Sequence, residues 1–380
     1  MSLRGVHRTT KQSQSSPGLL RYARNDRKPQ IFVSGSIARD LIMDFPGRFA
    51  DYIHPDKIHV LNVSFAVDNL KENLGGTAAN ICYNLALLGE RPKIVSNLGS
   101  DQTELLSYFK KLGLDTRYIE ISKSLRTAAA HIITDKDDNQ ITGFHAGAMN
   151  AHRAKMPNAK KGDWAVIAAE NPKNMVRLAE HYQRNQVNYI FDPGQQITAL
   201  AKSELRIAIR GARVLIGNDY EISLIMSSLR GRKAVAISSP PGLLPRLAAG
   251  RNDIVLVKTL GPKGSEILAV GRKIRIGVAK PRRVVDPTGA GDTYRAGFLK
   301  GLILGYNLKV CGQLGATVAS FAVEEYGTQE HKFTWLDIVI RYNRNFKGAQ
   351  SLRGVHLRTT KQSNSAFGIA SHARNDEGAL

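Results

Sequence analysis

The sequence predicts a doubly wound α/β/α sandwich with a mostly parallel central sheet and a small β-sheet lid beside it. Three observations predict this. From Asp163 onward, short apolar runs (Trp164 to Ala168, Tyr189 to Asp192, Val214 to Ile216, Ile254 to Lys258) alternate with helix-like stretches, the pattern of βαβ units. Two Gly-rich turns, Gly75-Gly76 and Gly289-Ala290-Gly291, each open an apolar helix-like run. Alternating stretches at Ala128 to Thr134 and Gln140 to Phe144 flank Lys136-Asp137-Asp138-Asn139, the signature of a hairpin set apart from that alternation.

Composition bounds the rest. The chain has 380 residues, 42% of them hydrophobic, enough for one large domain with a true core. Its formal charge of +22 and pI near 10.0 suit polyanionic ligands such as nucleotides and attract nucleic acid without specificity. No zinc spacing, RNA-binding aromatic motif or helix-turn-helix signal accompanies that charge, so specific nucleic-acid binding is not expected. Cys82 and Cys311 lie in apolar runs and read as buried thiols of a reducing compartment. No apolar run reaches the ~20 residues of a spanning helix, so the expectation is a cytoplasmic protein without membrane contact.

The two ends repeat one another. Residues 2–13 read SLRGVHRTTKQS and residues 351–363 read SLRGVHLRTTKQS; Ala23-Arg24-Asn25-Asp26 returns at residues 373–376. Both ends are polar and basic and lack helix or strand periodicity. They are expected to be disordered tails, residues 1–30 and 347–380, outside a fold spanning 31–346.

Along the body, Ile31-Phe32-Val33 is a buried strand that ends at Ser34-Gly35-Ser36. Asp40 follows, where ligand-lining residues of an open α/β sheet gather. Its carboxylate either accepts hydrogen bonds from a vicinal diol or caps a solvated turn. Residues 41–74 are irregular, with strand-like pieces at 58–63 and 64–67. Gly75-Gly76-Thr77-Ala78-Ala79-Asn80 then opens a helix to Leu88, allowing close approach either to a ligand or to the sheet. Lys93 to Asn97 reads as a strand and Thr103 to Leu112 as a helix. The lid is expected from about 41–70 and 117–146, with Phe144 and His145 able to contact a flat base. Free lid edges could pair between subunits as a homodimer.

In the second half, Asp192-Pro193-Gly194-Gln195-Gln196 and Asn218-Asp219-Tyr220-Glu221 follow successive strands at the ligand end. Asn218 and Glu221 share a helix face, suited to Mg²⁺ on nucleotide phosphates or to capping the helix. Thr259-Leu260-Gly261-Pro262-Lys263-Gly264 could hold phosphate oxygens or ribose. A hairpin spans Ser265 to Val278, and apolar helices follow at 310–323 and 334–346 around the loop Gly327-Thr328-Gln329-Glu330. The centre of the chain is Asp286 to Gly297, Asp-Pro-Thr-Gly-Ala-Gly-Asp-Thr-Tyr-Arg-Ala-Gly. Gly289, Ala290 and Gly291 let main-chain N–H groups meet an anion at a helix N-terminus. Asp292, costly beside a phosphate, makes sense as a general base.

These motifs, in this order over residues 31–346, resemble the ribokinase-like (pfkB-type) kinase superfamily. Ser34 to Asp40, Phe45 to Phe49, Asp192-Pro193-x-Gln195-Gln196, Asp219-Tyr220-Glu221, Arg295 to Phe298 and Gly327 to Glu330 are similar to bacterial adenosine kinases. The resemblance implies transfer of the ATP γ-phosphoryl group to the 5′-hydroxyl of adenosine, giving AMP. On this chain it implies Asp292 as base and Gly289, Ala290 and Gly291 as the anion hole. It implies Asn218 and Glu221 organising Mg²⁺ through water, and Thr259, Gly261 and Gly264 lining the ATP site. Ser36, Asp40, Gly76, Asn80, Phe144 and Gln196 would hold the nucleoside, and K⁺ would sit near the anion hole. One position departs from the pattern. The first lid strand carries Ala129 or Ala130 where those kinases place an aromatic, leaving Phe144 to stack. The resemblance therefore also admits a broader nucleoside kinase or a ribokinase-type sugar kinase.

Overall fold

The computed structural model describes residues 27–54, 59–60, 62–137, 139–230, 254–346 and 352. Of the expected tails only residues 27–30 and 352 are among these, and they join the fold: Arg27 Nη2 and Gln30 N–H donate to Asp163 Oδ1 at 2.7 and 2.9 Å, and Leu352 is buried. The sandwich is as the alternation predicts. Among the described residues the main sheet has nine strands in the order β13-β12-β11-β10-β9-β8-β1-β4-β5. These are β1 Ile31–Ser34, β4 Lys93–Leu98, β5 Asp115–Ile121, β8 Trp164–Ile167, β9 Asn188–Phe191, β10 Val214–Asn218, β11 Val255–Thr259, β12 Ser265–Ala269 and β13 Arg272–Ile276. All pair in parallel except the β11-β12-β13 meander.

Two apolar cores coat the sheet. Helices Thr77–Leu87, Thr103–Lys111, Ala290–Ile303, Leu308–Ala322 and Trp335–Asn345 cover one face. Helices Pro172–Arg184, Lys202–Gly211 and Asp219–Arg230 cover the other. Strands buried on both faces read as unbroken apolar runs, which is why β1, β8 and β9 were legible from composition. Chain order reverses beside β1: β4 and β5 follow on one side, β8 to β11 on the other. Such a switch point leaves a crevice at the carboxyl ends of the strands.

The small sheet is a separate four-stranded layer, β3-β2-β6-β7, built from β2 Ala38–Asp44, β3 Asn69–Gly75, β6 Ala128–Thr134 and β7 Gln140–His145. Three expectations change here. Asp40 lies inside strand β2 rather than in a turn. Residues 62–67 form no strand; Phe65 instead packs with Phe45, Phe49 and Tyr52, at ring-centroid distances of 4.8, 5.1 and 6.1 Å. Residues 117–121, placed in the lid from sequence, belong to β5 at the edge of the main sheet. For residues 117–121 the local pattern fits either sheet, and only the pairing partner decides. No helix among the described residues is long and apolar enough to cross a membrane.

Candidate active site

Helix Ala290–Ile303 begins at Gly289, whose backbone is left-handed at φ +75°. A side chain here would be strained, and its Cβ would lie 3.0 Å from Thr328 Cγ2. Thr293 N–H closes the first turn onto the Gly289 carbonyl at 2.9 Å. The Ala290 N–H donates to the Pro287 carbonyl at 3.2 Å, so this expected anion-hole donor is engaged within the turn itself. The amides of Gly291 and Asp292 stand in the first turn, where N–H groups lack an intrahelical acceptor.

Asp292 projects from that turn and accepts a hydrogen bond from Asn80 Nδ2 at 2.9 Å. Burial pushes its pKa up to about 6; Arg295 and the Asn80 hydrogen bond pull against that, while Asp192 and Glu221 add to it. A carboxylate near 6 is still ionised at neutral pH and is a better proton acceptor than a free one. Arg295, one helical turn on, donates from Nη2 to Asp192 Oδ1 at 2.9 Å, with both residues buried. Desolvation alone would lower the Arg295 pKa, but Asp192, Asp292 and Glu221 hold it up.

Across from this helix start, Asn80 sits on helix Thr77–Leu87, which Gly76 opens at φ +92°. A Cβ on Gly76 would stand 2.6 Å from the Ser36 carbonyl oxygen. Ser36 forms a joint: its Oγ accepts from Thr77 N at 3.1 Å and its N–H donates to Ala169 O at 3.0 Å. That joint fixes the end of β1 against the helix start.

Asp40 lies against Gly75, where a Cβ would collide with its carboxylate. Burial pushes the Asp40 pKa up to about 6. In the strand register Asn73, Asp40, Ala130 and Phe144 stand side by side across all four lid strands. Residues so aligned share one face, spaced about 4.8 Å per strand. Phe144 is 52% exposed, whereas Ala130 between it and Asp40 is buried and small. His145 pairs with Ala129 and projects from the opposite face.

At the other end of the crevice, Asn218 and Thr259 are paired at the ends of β10 and β11. Gly261–Lys263 form a 3-10 turn, and Gly264 follows. Asn218 and Glu221 cap one another: Asn218 N–H donates to Glu221 Oε2, and Glu221 N–H to Asn218 Oδ1, both at 2.8 Å. No group of three or more His, Cys, Asp or Glu among the described residues could hold a metal alone. This donor set therefore fits a hydrated Mg²⁺ shared with nucleotide phosphates, not a fully protein-bound ion. Gln196 lies in the 3-10 segment Gly194–Ala199 after β9, and among the described residues no hydrogen bond joins it to Asp40 or Asn80.

The structure thus brings Asp292, Asn80 and Gly76 together and puts Asp40 and Phe144 on one lid face. Asp192, Arg295 and Gln329 were not singled out from sequence for roles of their own. Arg295 was legible as Asp292 plus three on one helix face. Asp192 follows a strand at the ligand edge, whereas Gln329 was marked only as part of the loop Gly327 to Glu330.

A glycine-opened helix start bearing a half-buried aspartate, at the crevice of a doubly wound sheet beside a small β lid, suits an anion with a proton acceptor beside it. Residues 40–335 match the pfkB family carbohydrate kinases, and the chain belongs to that family. It is 36% identical over 296 residues to a nucleoside kinase of Methanothermobacter thermautotrophicus, covering 77% of this chain and 91% of that one. It is 33% identical over 299 residues to a nucleoside kinase of Methanocaldococcus jannaschii, covering 78% and 94%. The solved structure of a nucleoside kinase from that archaeon superimposes with a TM-score of 0.72 at 30% identity, covering 83% of this chain and 99% of that one. The nucleoside kinase of Burkholderia thailandensis in complex with inosine gives 0.70 at 30% identity, covering 83% and 98%. The chain is a kinase of nucleosides or sugars with a ribokinase-like fold. These relatives favour the broader nucleoside kinase over the adenosine-specific one.

Proposed function

We propose that the chain is a nucleoside kinase that moves the ATP γ-phosphoryl group to the 5′-hydroxyl of ribonucleosides, adenosine among them. The observation that carries this reading is the Asp40–Ala130–Phe144 row. Asp40 can accept two hydrogen bonds from the 2′- and 3′-hydroxyls. Phe144, two strands away at roughly 10 Å, offers a ring to the base at about the span of a nucleoside. With alanine between them, one ring face is the base contact, and a single stack tolerates different bases. Free ribose would leave Phe144 without a contact. The inosine complex of the Burkholderia enzyme supports purine nucleosides beyond adenosine.

In the reaction, Asp292 takes the 5′-hydroxyl proton as the oxygen bonds to the γ-phosphorus and the bond to the β–γ bridging oxygen breaks, releasing ADP. The Gly291 and Asp292 amides and the helix dipole face the charge on the transferred group. Mg²⁺, held through water by Asn218 and Glu221, would neutralise the nucleotide phosphates. Thr259, Gly261 and Gly264 line the ATP side, and Asn80 orients Asp292.

An ATP-consumption screen over adenosine, inosine, guanosine, cytidine, ribose and fructose 6-phosphate tests the reading. Several nucleosides should react with kcat/KM within about tenfold of each other, the scale of 1–2 kcal/mol of base discrimination. All should exceed both sugars. Ribose or fructose 6-phosphate as the best acceptor overturns it.

A further inference from the structure

Asn80 faces Asp292 with the nitrogen of its amide, and this choice is imposed from outside. Had the amide turned over, its oxygen would oppose a half-buried carboxylate, where repulsion is costly. Asn80 is 4% exposed and its Oδ1 accepts from Gln329 Nε2 at 3.0 Å. Gln329 is 5% exposed and could itself turn over. Its orientation is set by Tyr108, whose hydroxyl donates to Oε1 at 3.2 Å, and by the Leu74 carbonyl, 3.4 Å from Nε2. Thr328 Oγ1 donates to the same carbonyl at 2.9 Å, and Asp286 Oδ2 accepts from Gly327 N at 3.0 Å. The loop carrying Gln329 is therefore bolted both to the edge of the lid and to the loop before Asp292.

We infer that Gln329, set by Tyr108, is a positioning residue for phosphoryl transfer: it acts through Asn80 to fix which Asp292 oxygen is occupied and which is left for the substrate hydroxyl. The inference rests on Asp292 being the general base. Every donor runs one way, Tyr108 O–H to Gln329, Gln329 N–H to Asn80, Asn80 N–H to Asp292. Asn80 is held as well on its main chain, where Asn84 Nδ2 donates to its carbonyl at 2.9 Å. A second branch fixes the helix start itself. The neutral His331 ring, 2.8 Å from Asn84 Oδ1, leaves Asn84 Nδ2 to donate to Thr293 Oγ1 at 3.1 Å. Thr293 in turn donates to the Gly289 carbonyl at 2.9 Å.

Two substitutions separate positioning from packing. Gln329→Met keeps the volume and removes the donor. Gln329→Glu offers Asn80 only acceptors, so the Asn80 amide must turn and present its oxygen to Asp292. We expect kcat to fall about 10- to 100-fold in both, the scale of a misplaced reacting group, with KM for nucleoside changing little. In Gln329→Glu the acid limb of the kcat/KM profile should move up by about one pH unit, because a favourable hydrogen bond to the carboxylate is replaced by an unfavourable dipole. Folded Gln329→Glu protein with unchanged kcat and acid limb overturns the inference. Should both variants fail to fold, Tyr108→Phe decides: a smaller fall in kcat in the same direction supports it, and an unchanged kcat and profile overturns it. Asp292→Asn is run in parallel. Near-normal turnover there removes the base assignment itself, whereas an inactive Asp292→Asn beside an unaffected Gln329→Glu removes only the positioning role.

Discussion

Arg295 and Asp192, 103 residues apart, form a buried ion pair directly behind Asp292, with Nη2 donating to Oδ1 at 2.9 Å. The pair joins helix Ala290–Ile303 to the strand end after β9. It also sets a positive charge beside the proposed base, and that charge works against the burial that raises the Asp292 pKa. Arg295→Met leaves Asp192 buried without its cation, which costs about 3–5 kcal/mol. Chemical denaturation measures that loss. The double variant Arg295→Met, Asp192→Leu should recover much of the stability but not the activity, because the charge beside Asp292 is still missing. Full recovery of both would show that the pair only packs.

Asp292→Asn should lower kcat by about 10²–10⁴-fold, the usual reach of a general base. KM for ATP and nucleoside should hold. The same variant should be more stable. The folded-state pKa of about 6 lies above the ordinary 3.8, so the fold disfavours the ionised form. That cost is full above pH 6 and fades as pH falls toward 3.8. At pH 7 the neutral amide removes it, a gain of up to about 3 kcal/mol. A raised melting temperature at pH 7 that shrinks toward wild type near pH 4 is the expected signature.

The pH profile of kcat/KM should carry a steep acid limb near pH 6. Burial pushes both Asp292 and Asp40 up to about 6, and in the proposed reaction both act as carboxylates. Protonating either removes a function, so activity falls as pH drops through that value. Slope separates the two groups. Asp40→Asn should reduce a limb of slope near two to slope near one while raising KM for nucleoside.

Phe144→Ala removes the exposed ring from the lid row. The KM for nucleosides should rise about tenfold, as for one aromatic stack of roughly 1–1.5 kcal/mol. Turnover of free ribose at saturation should not change. An equal loss for ribose would place Phe144 in lid packing and not in base contact.

Much of this was written in local order. The buried strands, the glycines that open two helices, and Asp292 on its first turn all follow from spacing, because helices and strands impose their periods on the chain itself. Asp40 was a candidate either for a diol or for a solvated turn from its position after β1, and its strand was not legible, since a single pass of polar and apolar residues does not name its pairing partner. The Asn80–Asp292 contact spans 212 residues and the Gln329–Asn80 contact 249. Sequence alone determined which side chains could do phosphate chemistry and on which elements they ride. Tertiary structure decided which of them meet, which way each amide points, and how far burial moves each carboxylate, because register, hydrogen-bond direction and desolvation exist only once distant segments share one interior.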